Sequence, residues 1–266
     1  MQEKRPLVHF ITNVVIVNDC ANVTLAAGAS PIMADAAEEV GQVTGICSAL
    51  VLNMGTISRR TALSMLLAGR AAKAAGHPVV LDPVGAGISD LRNDTLRQIL
   101  RDVRPDVIKG NISEMRYLAE GTGTAQGVDA AAGELTDESN LERHARMAQT
   151  IAARQNCVAI ITGPMDIVAD ADHAYAVSNG SPWMGRISGT GCMTAAVLGA
   201  YAGANPGDRL NASLAAMVVM GLAGERASAR LPEGGGSGTY HMLLLDGVST
   251  LDGAALDAGR RVRRLF

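Results

Sequence analysis

Asn13, Asp82, Lys109 and Thr162 each stand where a short apolar run stops, and Gly189-Thr-Gly-Cys192 leads into a long Ala-rich run. A carboxylate, a lysine, amides and glycines are the groups that hold phosphate and Mg²⁺, a cation that takes one or two carboxylates and keeps several waters. Gly189 and Gly191 let a backbone turn tightly and approach a ligand without a Cβ in the way. With a helix beginning near Gly191, its first amides lack intrahelical partners and sit at the positive end of the dipole. Such an end is an anion site. Cys192 falls in the first turn of the same helix, where a thiolate is favoured.

Plainer readings stand beside these. Asp82 before Pro83 is also turn chemistry. Glu114, three residues after Asn111, stands in a first helical turn, where an acid complements the dipole without binding anything. A Cys near a helix start is often packing. Lys109 is harder to explain that way, because the run before it is apolar. No Walker A pattern is present and no GxGxxG follows the first strand, which removes the P-loop and the usual dinucleotide fold. The five histidines are scattered without metal-ligand spacing.

Period and punctuation then place these residues on elements. Strands are expected at 7–11, 49–53, 78–81, 106–109 and 158–161. Helices are expected at 14–27, 36–45, 59–75, 95–101, 112–119, 141–154 and 208–230, besides the one near Gly191. Ser58 caps the 59–75 helix and Gly76 ends it, while Asn93-Asp94 opens the next. Ser30 to Asp35 reads as a turn or short strand with Met33 near its end. Segments 167–169 and 173–177 form a hairpin-like pair. Residues 121–140 read as an excursion or exposed loop, and two short helices follow the Gly-rich break at 232–238. Apolar strands alternating with helices predict an α/β fold with a mostly parallel sheet covered on both faces. No linker or repeat marks a second domain, so 1–266 reads as one. Ligands of such sheets bind outside the carboxyl ends of the strands, where Asn13, Gly55, Asp82, Lys109-Gly-Asn111 and Thr162-Gly163 fall.

Composition narrows the partners. A net charge of −3 with no basic stripe speaks against nucleic acid, and the cluster Arg260-Arg-Val-Arg-Arg264 reads as a solvated tail. Aromatics are 3%, so Ala, Val, Leu, Ile and Met must build the core. Four cysteines without CxxC spacing suggest neither zinc nor disulfides, and a reducing cytoplasm fits. Met1 to Pro6 gives way to only a handful of apolar residues, so no signal peptide is expected. Residues 187–207 are uncharged and long enough to span a bilayer. Their Ser, Thr, Asn, Pro and glycines predict a buried helix of a soluble protein, and no membrane partner.

Together, His9-Phe-Ile-Thr-Asn13, Gly28-Ala-Ser-Pro-Ile-Met33-Ala, Leu52-Asn-Met-Gly-Thr56, Leu81-Asp-Pro-Val-Gly-Ala-Gly87, Lys109-Gly-Asn-Ile-Ser-Glu114, Ile161-Thr-Gly163 and Ser188-Gly-Thr-Gly-Cys192 resemble the hydroxyethylthiazole kinases. The match runs in order over nearly the whole chain. The resemblance implies a ribokinase-like three-layer αβα fold and transfer of the ATP γ-phosphoryl group to the primary alcohol of 4-methyl-5-(2-hydroxyethyl)thiazole, a step of thiamine salvage. It also implies Mg²⁺ as cofactor and a homotrimer with the thiazole near subunit interfaces. By position, Met33 and Gly189 would contact the thiazole with Asn13 beside it. Lys109 and Thr162 would hold ATP, with the Gly191 amide at its phosphates. Asp82 and Glu114, with Asn111 nearby, would organise Mg²⁺, and Cys192 takes the place of the Asp base of most ribokinase-like enzymes. Lys109 stands where Arg is common, which turns a bidentate fork into a point charge. Val14 replaces a second Asn, and Gly234 to Gly238 is looser than the family's loop.

Three other readings compete. One is a kinase of the same fold for another small alcohol, such as hydroxymethylpyrimidine. The others are a non-catalytic nucleotide-binding protein and a dehydratase acting on damaged nicotinamide cofactors.

Overall fold

The computed structural model describes residues 4–120 and 135–266, so most of the expected 121–140 excursion lies outside the described residues. The chain runs through β1 (Leu7–Ile11), α1 (Val17–Ala26), β2 (Ser30–Met33), α2 (Val40–Gly45), β3 (Ala49–Asn53), α3 (Arg59–Ala75), β4 (Val79–Asp82), α4 (Asp90–Asp102), β5 (Val107–Asn111) and α5 (Ile112–Glu120). Then come α6 (Leu141–Gln155), β6 (Val158–Thr162), β7 (Asp166–Ala169), β8 (Ala174–Val177) and a 3₁₀ turn at Pro182–Arg186. The chain closes with α7 (Thr190–Ala204), α8 (Arg209–Ala229), α9 (Ser237–Thr250), α10 (Gly253–Gly259) and β9 (Val262–Arg264).

All these strands share one sheet, in the order β2-β1-β3-β4-β5-β6-β7-β8-β9. From β2 to β6 every pairing is parallel, and β7, β8 and β9 are added antiparallel. The strands read as continuous apolar runs because both faces are covered. Their period of two divides them between two cores. Val8, Phe10, Ala49 and Val51 face the layer of α1, α7, α8 and α9, whereas Ile11, Leu50, Leu52, Leu81 and Ile108 face the layer of α3 to α6.

The helix that opens beside the site lies unusually close to this sheet. α7 carries Gly199 where a Cβ would come within 2.3 Å of the Val51 Cγ2 atom on β3. The missing side chain therefore sets the helix-to-sheet distance. The uncharged stretch 187–207 contains this buried helix, and among the described residues no helix is long and apolar enough to cross a membrane.

Local signals account for most boundaries. Ser58 accepts from the Thr61 amide, the Thr61 hydroxyl answers the Ser58 amide, and Gly76 closes α3 at φ 74°. Three expectations are corrected. α4 starts at Asp90 behind a Ser89 cap, not at 95, because the Asn93 side chain instead accepts from the Gly87 amide at 2.8 Å. α2 is confined to Val40–Gly45, with 36–39 forming only a turn. The basic segment read as a solvated tail is β9, which pairs with β8 from Val177 to Tyr175. Its charges point outward, and Arg263 meets Glu138 at 2.7 Å.

Gly199→Val should lower stability by about 1–3 kcal/mol through overpacking against Val51. Thermal or denaturant unfolding reads it, and an unchanged midpoint would show that α7 does not depend on this close approach.

Candidate active site

β1, β3, β4, β5 and β6 all end on one edge of the sheet. Between that edge and the start of α7 lies a cavity of about 1030 Å³. One end is lined by Asn13, Ile16, Gly55 and Thr56, the middle by Asp82, Lys109 and Cys192, and the far end by Thr162, Asp166, Met217 and Met220.

A buried ion pair occupies the middle. Asp82 is fully buried and Lys109 is 4% exposed, and the Lys109 Nζ donates to Asp82 Oδ1 at 3.0 Å. It also donates to the Gly191 carbonyl at 3.1 Å, which ties β5 to the first turn of α7. An ammonium has three protons, so a third donor remains for a ligand. Burial works to lower the Lys109 pKa, but the Asp82 charge, with its hydrogen bond and the Glu114 charge, outweighs it and the net direction is up. Burial pushes the Asp82 carboxyl up, against the Lys109 charge and against hydrogen bonds from Lys109, Cys192 and Asn53.

Glu114 projects from the first turn of α5. Its two oxygens accept from the Gly85 amide at 2.9 Å and the Asn111 amide at 2.8 Å. Burial first, then repulsion from Asp82, raises its pKa to about 7. Both of its contacts are to backbone amides, and it shares the cavity lining with Asp82, so these two carboxylates are residues that could face a cation there.

α7 opens with Gly189 at φ 84° and no side-chain cap. The amides at its start thus remain for an anion. α3, α4 and α8 spend a Ser or Asp side chain on theirs, whereas α1, α2, α6 and α9 start uncapped as α7 does, so it is the place of α7 at the strand ends that sets its amides apart. A Cβ on Gly189 would strike Ile16 Cγ2 at 2.2 Å, so the residue is required by both conformation and space. The Cys192 sulfur receives the Asn13 Nδ2 at 3.5 Å. Its expected thiolate character is corrected: burial and the Asp82 charge lift its pKa to about 11, against the pull of Lys109, Asn53 and Asn13. At neutral pH it is a thiol.

Asn13, Asp82, Lys109, Glu114, Thr162, Gly189, Gly191 and Cys192 all line this one cavity. Met33 does not. It is half-buried on β2, the edge strand, packed against the core on the α7 side. Three residues that sequence reading passed over also shape the site. Asn53 ends β3 and bonds Asp82, a signal visible in the sequence as a polar residue closing an apolar run. Asp166 faces the cavity and accepts from the Gly163 amide at 2.9 Å. Arg92 on α4 donates to the carbonyls of Met54, Val84 and Gly55, clamping the loops after β3 and β4. Nothing in sequence spacing points to Arg92, because its partners are backbone atoms from distant turns.

Comparison with known proteins agrees with this picture. The hydroxyethylthiazole kinase family pattern matches residues 1–253. A protein named hydroxyethylthiazole kinase from Desulfovibrio desulfuricans is 48% identical over 273 aligned positions, covering 100% of this chain and 96% of its own. A second of that name, from Clostridium acetobutylicum, is 46% identical and covers 96% and 94%. Among solved structures, hydroxyethylthiazole kinase protein from Pyrococcus horikoshii superimposes with a TM-score of 0.87 at 35% identity, over 100% of this chain and 96% of that one. Pyridoxal kinase from Staphylococcus aureus, in complex with ADP, reaches 0.63 at 14% identity over 83% and 88%, a likeness of fold alone. The expected ribokinase-like αβα architecture is the one observed.

The Asp166 carboxyl is raised to about 7, chiefly by burial, with the Gly163 amide and Lys109 pulling it down. Its folded pKa exceeds the unfolded value, so the unfolded chain loses this proton first. Its contribution therefore favours folding at low pH and is lost as pH rises from about 4 to about 7. Asp166→Asn should flatten that part of the stability curve, so that the variant gains on the parent between pH 4 and 7. Parallel curves of melting temperature against pH would contradict the assignment.

Proposed function

The chain belongs to the hydroxyethylthiazole kinase family, and we propose that its cavity transfers the γ-phosphoryl group of ATP to the primary alcohol of 4-methyl-5-(2-hydroxyethyl)thiazole. The observation that carries this reading is the uncapped start of α7, with Lys109 at one side and the Cys192 sulfur at the other. A metaphosphate-like group in transfer needs charge neutralised on its equatorial oxygens more than it needs covalent help. The free amides of Gly191 and its neighbours, together with the remaining Lys109 proton, offer that neutralisation.

The nucleotide takes the Thr162, Asp166 and methionine-lined end, and the alcohol takes the end at Asn13 and Thr56, beside Gly189. That order puts the γ-phosphoryl group over α7 and the hydroxyl beside Cys192. As the new O–P bond forms, the alcohol proton passes to the sulfur while the thiol proton moves toward the Asp82 carboxylate. ADP leaves with the electrons of the broken bond. This ordering suits a late proton transfer, because a thiol at rest is no base.

Asp82 and Glu114 fit Mg²⁺. Two oxygen-bearing carboxylates repel each other in a buried space, and a hard dication relieves that repulsion while keeping waters and phosphate oxygens as its other ligands. Mg²⁺ bound there supplies charge neutralisation on the phosphates. Residues 1–266 would work as one kinase domain, in the cytoplasm. The Met33 contact with the thiazole needs a neighbour, since Met33 is absent from its own chain's cavity. A homotrimer that brings the β2 edge of one subunit to the mouth of another would supply it. Val14 and Val15, 77% and 66% exposed beside Asn13, mark that mouth as apolar.

A coupled ADP assay over a panel of small alcohols tests the reading. ADP should appear with the thiazole alcohol and Mg²⁺ and not with hydroxymethylpyrimidine. Preference for the pyrimidine, ATP binding without ADP, or turnover only with hydrated NADH would each replace it. Glu114→Gln should raise the Mg²⁺ concentration needed for half-maximal rate with the fold intact, and an unchanged requirement would return Glu114 to a capping role. Cys192→Ala should lose about 10²-fold in kcat, the low end for a proton-transfer group, with KM for ATP little changed. Cys192→Ser should resemble Ala, and Cys192→Asp should retain parental turnover by restoring a carboxylate acceptor. Parental turnover in all three would make Cys192 a packing residue.

A further inference from the structure

Asn53 closes β3, is 2% exposed, and has both ends of its amide occupied. Its Oδ1 accepts from the Gly55 amide and from Asn13 Nδ2, both at 2.9 Å, and its Nδ2 donates to Asp82 Oδ2 at 2.7 Å. A flipped amide would set an NH₂ group against two donors, so the backbone N–H of Gly55 fixes which way Asn53 points. The same logic passes to Asn13. Its Oδ1 accepts from the Val15 amide at 3.1 Å, so its NH₂ must face inward. There it is shared between Asn53 Oδ1 at 2.9 Å and the Cys192 sulfur at 3.5 Å. One buried amide thus links the alcohol end of the cavity to the carboxylate that Lys109 holds from its other side at 3.0 Å.

We propose that Asn53 is a positioning residue for phosphoryl transfer: anchored on Asp82, its amide orients Asn13 against the Cys192 sulfur, so that the proton acceptor keeps a fixed place beside the alcohol end of the cavity. It need not touch substrate or nucleotide, and it acts through Asn13 and Cys192. The inference rests on the reading of Cys192 as the group that takes the alcohol proton.

A merely structural amide would lower stability when removed and leave its effect on turnover independent of Cys192. A positioning amide would not, and a double-mutant cycle separates the two. The variants are Asn53→Ala, Cys192→Ala and both together, with kcat, KM for each substrate and the thermal midpoint measured on the full chain. In the parent background Asn53→Ala should lower kcat by roughly 10–100-fold, the scale of losing a group that orients a reacting one. KM for ATP should move less than about 3-fold, since the α7 amides that would bind phosphate remain. In the Cys192→Ala background the further loss in kcat should shrink below about 3-fold, because the group being oriented is gone. Equal fold losses in both backgrounds, or a kcat unchanged by Asn53→Ala, would overturn the proposal. If Asn53→Ala does not fold, Asn53→Ser, whose hydroxyl satisfies one of the lost bonds, carries the same cycle. Parental turnover in Cys192→Ala would instead overturn the reading of Cys192, and this proposal with it. An impaired Cys192→Ala with additive losses would overturn this proposal alone.

Discussion

Two opposite charges held away from water at the centre of the cavity set the terms for everything around them. The Lys109–Asp82 pair is nearly inaccessible, and its contact of 3.0 Å bridges the neighbouring strands β4 and β5. Removing one partner of such a pair costs about 3–5 kcal/mol, yet replacing both with apolar groups is often neutral. Stability alone therefore gives little reason to keep it. Under the proposed function the pair would fix charge where the phosphoryl group travels, and Glu114 and the Cys192 thiol both feel the Asp82 charge.

The pair can do this only because α7 is brought to it. Lys109 reaches the Gly191 carbonyl because α7 lies against the sheet at Gly199 and starts from a left-handed Gly189. Small residues in the helix, rather than large ones in the cavity, decide where the free amides point. The same geometry half-buries Cys192, whose thiol keeps its proton at neutral pH, and under the proposed function it would pass the alcohol proton on rather than act as a simple base.

How much of this was readable in advance follows from how local each signal is. The α3 cap and stop, the β1 and β3 spans and the strand-end positions of Asp82, Lys109 and Thr162 are visible because each depends on neighbours in sequence. The start of α4 was missed because Ser89 and Asn93 offer competing caps, and a distant amide at Gly87 takes Asn93 out of the contest. The β9 strand was hidden behind its arginines, since an edge strand with outward charges has no apolar signature. The expected site residues share one cavity, apart from Met33. The Cys192 proton was misjudged because the helix dipole is local and visible, whereas burial and the Asp82 charge arrive from the far side of the fold. Arg92 binds backbone carbonyls from two loops, a role that only the assembled sheet edge defines, whereas Asn53 is marked in the sequence only as a polar residue closing an apolar run.

The most direct measurement of the central claim compares the parent with a double variant, Lys109→Met with Asp82→Asn, for both stability and turnover. If the pair is retained for phosphoryl transfer, the double variant should still unfold cooperatively from a folded state while losing nearly all ADP production with the thiazole alcohol. A double variant that keeps parental turnover, or one that is inactive only because it no longer folds, would contradict the account.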